Sequence, residues 1–181
     1  HLKSWKADGI IMRNSVIRQE LIRLNKPTIW VLHGPDRPEN IPAVITEDAG
    51  IAALAAEHLL NRGFHNYAFC GFHDLKWSCN RAEDFRRAIA DAGYDTHIYD
   101  QPVSVRSRAW QYEQNHIAAW LKSLPKPVGI MACNDDRGHQ VLEACKIAGL
   151  KVPEEVAVVG VDNDELVCEL CDPPLSSIAL N

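Results

Sequence analysis

Apolar and polar positions along the chain follow two alternating periods, which predict strands followed by helices. Continuous apolar runs are typical of buried strands, whereas apolar residues spaced three and four apart form one face of a helix. The predicted strands are 8–12, 27–32, 43–46, 66–71, 96–99, 128–133 and 156–161, and the predicted helices are 16–24, 48–62, 80–92, 109–124, 135–148 and 164–170. Residues 33–42 and 72–78 are predicted loops.

Strands and helices that alternate in this way indicate an α/β fold, in which a parallel sheet is covered by helices on both faces. The run Val156-Ala-Val-Val-Gly-Val161 fits a strand that is covered on both sides. Asp48 is a good N-cap for the helix that comes after it, and Gly63 is a good residue to end that helix.

Composition narrows the class of protein. The chain has 181 residues and a formal net charge of −5, and it lacks the basic stripe that nucleic-acid binding needs. Six scattered cysteines are too few for a disulfide scaffold, so we expect free thiols and a reducing compartment. The chain starts at His1, just before a strand, and ends in a strand-like run. We therefore expect a piece of a longer polypeptide.

Polar side chains come directly after two of the predicted strands. The two stretches are Met131-Ala-Cys-Asn-Asp-Asp-Arg-Gly138 and Val158-Val-Gly-Val-Asp-Asn-Asp164. The carboxyl ends of parallel strands share one edge of a sheet, where open α/β folds bind small ligands. Because both strand ends are rich in hydrogen-bonding groups, the sequence predicts that the protein binds a polar molecule.

Three stretches, residues 59–71, 132–138 and 149–162, resemble motifs of the lactose-repressor family in both order and spacing. Within that family, Gly160-Val-Asp-Asn-Asp-Glu165 and the segment 168–177 are similar to the xylose-operon regulators. Lys76-Trp77, followed by Arg81 and Phe85, fits this subgroup too.

The resemblance implies a two-lobed periplasmic-binding-protein-like fold with parallel sheets flanked by helices, present here as a fragment. Residues 1–64 would be part of the N-terminal lobe, 65–175 the C-terminal lobe, and 176–181 the start of the return crossing. Two crossings between lobes imply a hinged molecule with a cleft.

The resemblance also implies sugar-binding positions. Asp48 would reach in from the N-terminal lobe, Arg81 would contribute its guanidinium, and Asn134 and Asp162 would lie at strand ends of the other lobe. Trp77 is the candidate for the stacking wall or lid. Each residue has an ordinary alternative: a helix cap for Asp48 and Asn134, a turn for Asp162, a solvated helix position for Arg81, and loop packing for Trp77.

Other groups suggest less. Asp135 and Asp164 are interpreted as caps or supporting groups. Cys168-x-x-Cys171 has no second pair at a spacing that suits zinc, so we interpret it as packing and expect no metal and no cofactor. Paired carboxylates exist, but a nucleophile with an attendant base is missing, which argues against an enzyme.

The leading hypothesis is the effector-binding domain of a cytoplasmic transcription regulator. It would sense a pentose, D-xylose first, and couple lobe closure to operator DNA through a helix-turn-helix domain outside this chain. We expect a homodimer and no membrane association. The alternatives are an exported, monomeric sugar-binding protein of a transport system and an α/β enzyme acting on a carbohydrate or nucleotide.

Overall fold

The computed structural model describes residues 6–13, 18–31, 40–101 and 110–180. The chain divides into two compact units, a first unit of residues 1–47 and a second unit of residues 48–181.

The first unit contains a small parallel sheet. Its strands are β1 (Ile10–Met12), β2 (Thr28–Val31) and β3 (Ala43–Val44), in that spatial order, and its helix is α1 (Arg18–Ile22). Its core is a buried cluster of Met12, Leu21, Trp30 and Ile41. The helix predicted over 16–24 is present over 18–22, and residues 23 and 24 form a turn. Residues 16 and 17 and most of the predicted loop 33–42 lie outside the described residues.

The second unit is built around a five-stranded parallel sheet in the order β5-β4-β6-β7-β8. The strands are β4 (Tyr67–Cys70), β5 (Thr96–Ile98), β6 (Val128–Ala132), β7 (Val156–Asp162) and β8 (Ser176–Ala179). The helices are α2 (Asp48–Asn61), α3 (Lys76–Asp91), α4 (Trp110–Ser123), α5 (Asp135–Ala148) and α6 (Glu165–Leu170). This arrangement confirms the predicted α/β class.

Helices cover both faces of this sheet, and successive strand residues point to opposite faces. Tyr67 and Phe69 share a core with α2 and α3, whereas Ala68 and Cys70 share a second core with α4 and α5. Every residue of β4 and of β6 is buried as a result. Double coverage explains why these strands are continuous apolar runs rather than alternating ones.

The division between the units differs from the one predicted near residue 64, because α2 packs in the second unit. Leu59 of α2 presses on β6 so closely that a Cβ added at Gly129 would lie 2.9 Å from its Cδ2 atom. Likewise β8, predicted as the start of a return crossing, is the edge strand that pairs with β7. Residues 48–64 and 176–179 therefore belong to the same structural unit.

One helix begins earlier than predicted. Helix α3 starts at Lys76 rather than near Asn80, so the predicted loop 72–78 ends sooner. Its N-cap is Leu75, which forms no side-chain capping bond. The start therefore lacks the polar cap by which a sequence marks a helix beginning. The buried Ser78 hydroxyl instead accepts a hydrogen bond from the Phe72 amide at 2.8 Å, which holds the preceding turn against the helix.

Candidate functional site

The chain reverses its direction of travel across the second unit's sheet between β4 and β6. From β4 the chain moves to β5 on one side, and from β6 it moves to β7 on the other, although β4 and β6 are neighbours. Ligands of open α/β sheets bind outside the carboxyl ends of the strands at such a switch point. Gly71 and Phe72 come after β4 there, and Cys133 and Asn134 come after β6.

Asn134 is both a helix cap and a candidate ligand group. Its backbone is extended, and its side-chain oxygen accepts a hydrogen bond from the Arg137 amide at 3.0 Å, so the capping alternative is confirmed. Capping uses the oxygen only. The amide nitrogen of the same side chain is a donor of the kind that a sugar hydroxyl accepts.

Asp48 and Arg81 form a buried ion pair. The Nε atom of Arg81 donates to Oδ1 of Asp48 at 3.1 Å, and their side chains are only 5% and 6% exposed. A second guanidinium nitrogen of Arg81 donates to the Cys133 carbonyl at 2.6 Å. Arg81 is therefore not a solvated helix residue, and it connects α3 to the residue that precedes Asn134. Asp48 approaches from α2 of the same unit, not from a separate N-terminal lobe as the resemblance implied.

Trp77 lies on α3, one turn before Arg81, rather than in a surface loop. The guanidinium carbon of Arg81 is 5.0 Å from the centroid of its ring. The Phe72 ring meets it edge-on, with centroids 6.3 Å apart and planes at 67°. The indole is half-buried, so part of its apolar surface is accessible beside Arg81.

Asp162 ends β7 in an unusual backbone conformation. Its φ is 111° and that of Asn163 is 52°, both in the region that residues other than glycine rarely adopt. Reduced hydration raises the pKa of the exposed Asp162 carboxyl. The positive charge of Arg81 lowers this pKa, whereas the negative charges of Asp135, Asp136 and Asp164 raise it further. Asp162 ends β7, the strand beside β6, so it lies at the same edge of the sheet as Asn134.

Asp135 and Asp164 hold the Asp162 loop in place. Asp135 is 2% exposed and accepts hydrogen bonds from the Asp164 amide at 2.8 Å and the Ser177 hydroxyl at 2.5 Å. Asp164 caps α6 by accepting from two amides of its first turn. These contacts confirm the interpretation of both residues as caps or supporting groups. A Cβ at Gly160 would lie 2.2 Å from Oδ1 of Asp135, so the close approach requires glycine.

Sequence reasoning missed a second buried arginine. Arg137 is 0% exposed, donates to Glu113 at 2.9 Å and to the Gly71 carbonyl at 3.3 Å, and lies 3.9 Å from the Phe72 ring centroid. An arginine in the first turn of a helix after two aspartates is typical of an exposed surface. The partner Glu113 is 24 residues away in the sequence, and no local pattern indicates it.

Neither of two cavities in the second unit coincides with this cluster. One, of about 290 Å³, is lined by residues such as His73, Cys79 and Ile98, and the other, of about 390 Å³, by residues such as Arg62 and Pro174. Neither is lined by the five candidate residues. The convergence of polar groups at the switch point, not cavity volume, defines the candidate site.

The cysteine pair lies in the protein interior. Cys168 and Cys171 are reduced and belong to a buried cluster with Leu142 and Leu175, as expected for packing residues. Burial raises the pKa of the Cys168 thiol to about 11. Among the residues that the structure describes, no group of three or more His, Cys, Asp or Glu side chains is arranged to hold a metal ion.

The fold and the polar strand ends are those of a binding protein, and comparison with known families agrees. The chain belongs to the family of periplasmic binding protein-like domains, whose model matches residues 56–181. The xylose operon regulatory protein of Escherichia coli strain K12 is 32% identical over 98% of this chain and 47% of that protein. The chain thus spans about half the length of this curated relative.

Solved structures show the same relationship. The structure of the xylose-binding transcription activator xylR superposes with a TM-score of 0.84 at 30% identity, covering 98% of this chain and 48% of that one. A LacI family transcriptional regulator from Enterococcus faecium with bound ribose has a TM-score of 0.76 at 25% identity, with coverages of 96% and 65%. These relatives are regulators, not enzymes. In the described part of this chain, no helix has the length and apolar character to cross a bilayer.

Proposed function

We propose that this chain is the effector-binding part of a transcription regulator and that its effector is an uncharged pentose, with D-xylose the first candidate. The names of the relatives support a regulator over a transport protein, and two of the three concern xylose. The observation that carries the proposal is the cluster of Asp48, Arg81, Asn134 and Asp162 at the carboxyl edge of one sheet.

The chemistry of this cluster suits a sugar. Each hydroxyl of a pentose both donates and accepts a hydrogen bond, so it pairs with a carboxylate oxygen on one side and an N–H on the other. Asp48 and Asp162 supply acceptors, Arg81 supplies donors in a fixed plane, and Asn134 supplies a donor. Trp77 presents an apolar ring of the kind that covers the C–H face of a sugar.

The charge of the cluster indicates an uncharged ligand. Arg81 is compensated by Asp48 at 3.1 Å, and Asp135, Asp136 and Asp164 add negative charge near Asp162. A phosphate or carboxylate on the ligand would be repelled by this negative charge. We therefore expect D-xylose to bind and D-xylose 5-phosphate and D-xylonate to bind far more weakly.

Regulation requires that the effector bind two conformations with different affinity, because a ligand shifts an equilibrium only by that difference. We propose that this shift is the lobe closure expected from the sequence, and that it is coupled to operator DNA by a DNA-binding domain outside this chain. The coupling is reciprocal, so operator DNA would change sugar affinity by the same factor. We expect the protein to couple sugar and DNA binding as a cytoplasmic homodimer.

Calorimetric titration of the full-length protein with D-xylose tests the site. Asn134→Ala and Asp162→Ala should each weaken binding by about 1–3 kcal/mol, because polar partners are left unpaired. Asn61→Ala and Asp91→Ala, matched replacements at the exposed last residues of α2 and α3, should leave the affinity unchanged. Unchanged affinity in both site variants would refute the site. Equal binding of D-xylose and its phosphate would refute the charge argument.

A further inference from the structure

A line of contacts runs from Arg137 to Arg81 through two aromatic rings. The Arg137 guanidinium lies over the Phe72 ring at 3.9 Å, and Phe72 meets Trp77 edge-on with centroids 6.3 Å apart. Trp77 in turn lies under the Arg81 guanidinium at 5.0 Å. Cations over aromatic faces and edge-on ring pairs both have preferred geometries, so each contact restricts the next.

Arg137 also joins the two sides of the switch point. Its backbone amide donates to the side-chain oxygen of Asn134, just beyond β6, and its guanidinium donates to the carbonyl of Gly71, just beyond β4. Arg81 crosses between the same two sides from α3, where it donates to the Cys133 carbonyl. The side chains of the two arginines therefore bridge the switch point in opposite directions, Arg137 from α5 to Gly71 and Arg81 from α3 to Cys133.

A contribution to stability does not explain why position 137 is an arginine. Burying the Arg137–Glu113 pair costs desolvation energy, and apolar residues of similar volume often serve stability as well or better. The Nε atom of Arg137 has no hydrogen-bond acceptor among the described residues, which adds to that cost. The guanidinium is a planar cation whose donors reach Gly71 and Glu113 and whose carbon lies over the Phe72 ring. An apolar side chain could not make these contacts.

We propose that Arg137 and Phe72 are positioning residues for sugar binding. They touch no sugar; they hold the indole of Trp77, and Trp77 sets the plane of the Arg81 guanidinium against Asn134. This inference rests on the proposed function, because it assigns to these residues the affinity of the proposed sugar site.

The test uses the full-length protein and four variants. Arg137→Lys keeps the charge but removes the planar fork, and Phe72→Leu keeps an apolar side chain but removes the ring. Each should weaken D-xylose binding by about threefold to tenfold, the range of a lost cation–π or ring contact. Phe72→Tyr keeps the ring and should bind like the wild type. Arg62→Lys, at an exposed arginine beyond the end of α2, is the matched control and should also bind normally.

A second readout needs no sugar. Near-ultraviolet circular dichroism of the unliganded protein reports the packing of the tryptophans. The contribution of Trp77 in the wild type and in each of the four variants is the difference between that protein and the same protein with Trp77→Phe added. Arg137→Lys and Phe72→Leu should alter that contribution, whereas Phe72→Tyr and Arg62→Lys should preserve it.

The two readouts separate the two claims. Absence of D-xylose binding by the wild type refutes the proposed ligand. An unaltered Trp77 signal in both Arg137→Lys and Phe72→Leu overturns the positioning role, whatever the ligand. A lowered unfolding midpoint with wild-type sugar affinity in both variants overturns it as well, because the contacts would then serve stability alone. Weakened binding in both, with an altered Trp77 signal and normal binding by Phe72→Tyr, supports it.

Discussion

The buried Asp48–Arg81 pair predicts a large and mutually dependent loss of stability. In Asp48→Ala the guanidinium remains 5% exposed, but it loses the carboxylate oxygen that lies 3.1 Å from its Nε atom. Two unit charges at that distance attract by about 5 kcal/mol at an effective dielectric constant of about 20. Removing one partner of a buried pair therefore should lower the free energy of unfolding by about 3–5 kcal/mol, because the other charge stays buried.

A double-mutant cycle isolates this interaction. Arg81→Met should cost a similar amount, since it leaves the Asp48 carboxylate buried without its cation. The double variant should lose less than the sum of the single losses by about 2 kcal/mol or more, because neither charge then remains. Urea unfolding followed by tryptophan fluorescence and far-ultraviolet circular dichroism measures all four proteins.

The chain offers a matched control pair. Lys146 and Glu143 are closer, at 2.8 Å, but their side chains are 46% and 34% exposed. The cycle with Glu143→Ala and Lys146→Met should therefore give a coupling of about 0.5 kcal/mol or less. If the Asp48 and Arg81 losses are additive within about 0.5 kcal/mol, the two charges do not depend on each other and the reasoning is refuted.

Three further predictions concern single residues. The raised pKa of Asp162 means that the folded state holds its proton more tightly, so stability is lost as pH rises from the ordinary value of 3.8 through the raised one. Asp162→Asn should therefore gain stability relative to the wild type over that pH range in urea unfolding, and a constant difference would contradict this. Gly160→Ala should cost about 1–3 kcal/mol in the same assay, because its Cβ would collide with Asp135. Cys79 is the one exposed thiol of the six, all of which the structure describes, so a thiol reagent at pH 8 should modify about one cysteine rapidly, and Cys79→Ser should abolish that phase.

The sequence predicted correctly those elements whose ends are marked by neighbouring residues. Helix α5 begins after a capping Asn134 and ends at Gly149 with a φ of 71°, and its predicted range 135–148 is confirmed. The strand ends that carry Asn134 and Asp162 were predictable for the same reason, since apolar runs give way there to polar residues. Helix α3 was placed four residues late because Leu75 gives no polar mark at its start.

The sequence did not predict which residues from remote segments of the chain lie in contact. No local pattern places Asp48 beside Arg81, 33 residues later, or Arg137 beside Glu113, 24 residues earlier. The burial of Arg137 was missed because charged residues in the first turn of a helix are usually exposed. The boundary between the units also differs from the predicted one, since helix α2 packs with later elements of the chain and periodicity gives no packing partner.

Asp135 has a consequence for how the protein is made. A ribosome delivers the strands β4, β5, β6 and β7 before Ser177 emerges, and domains generally fold in the order of synthesis. Until then the Asp135 carboxylate lacks the hydroxyl donor that lies 42 residues downstream in the sequence. Before β8 is made, the buried Asp135 carboxylate can accept from the Asp164 amide but not from Ser177. The addition of β8 thus supplies the second of these hydrogen bonds at the same time as it extends the sheet.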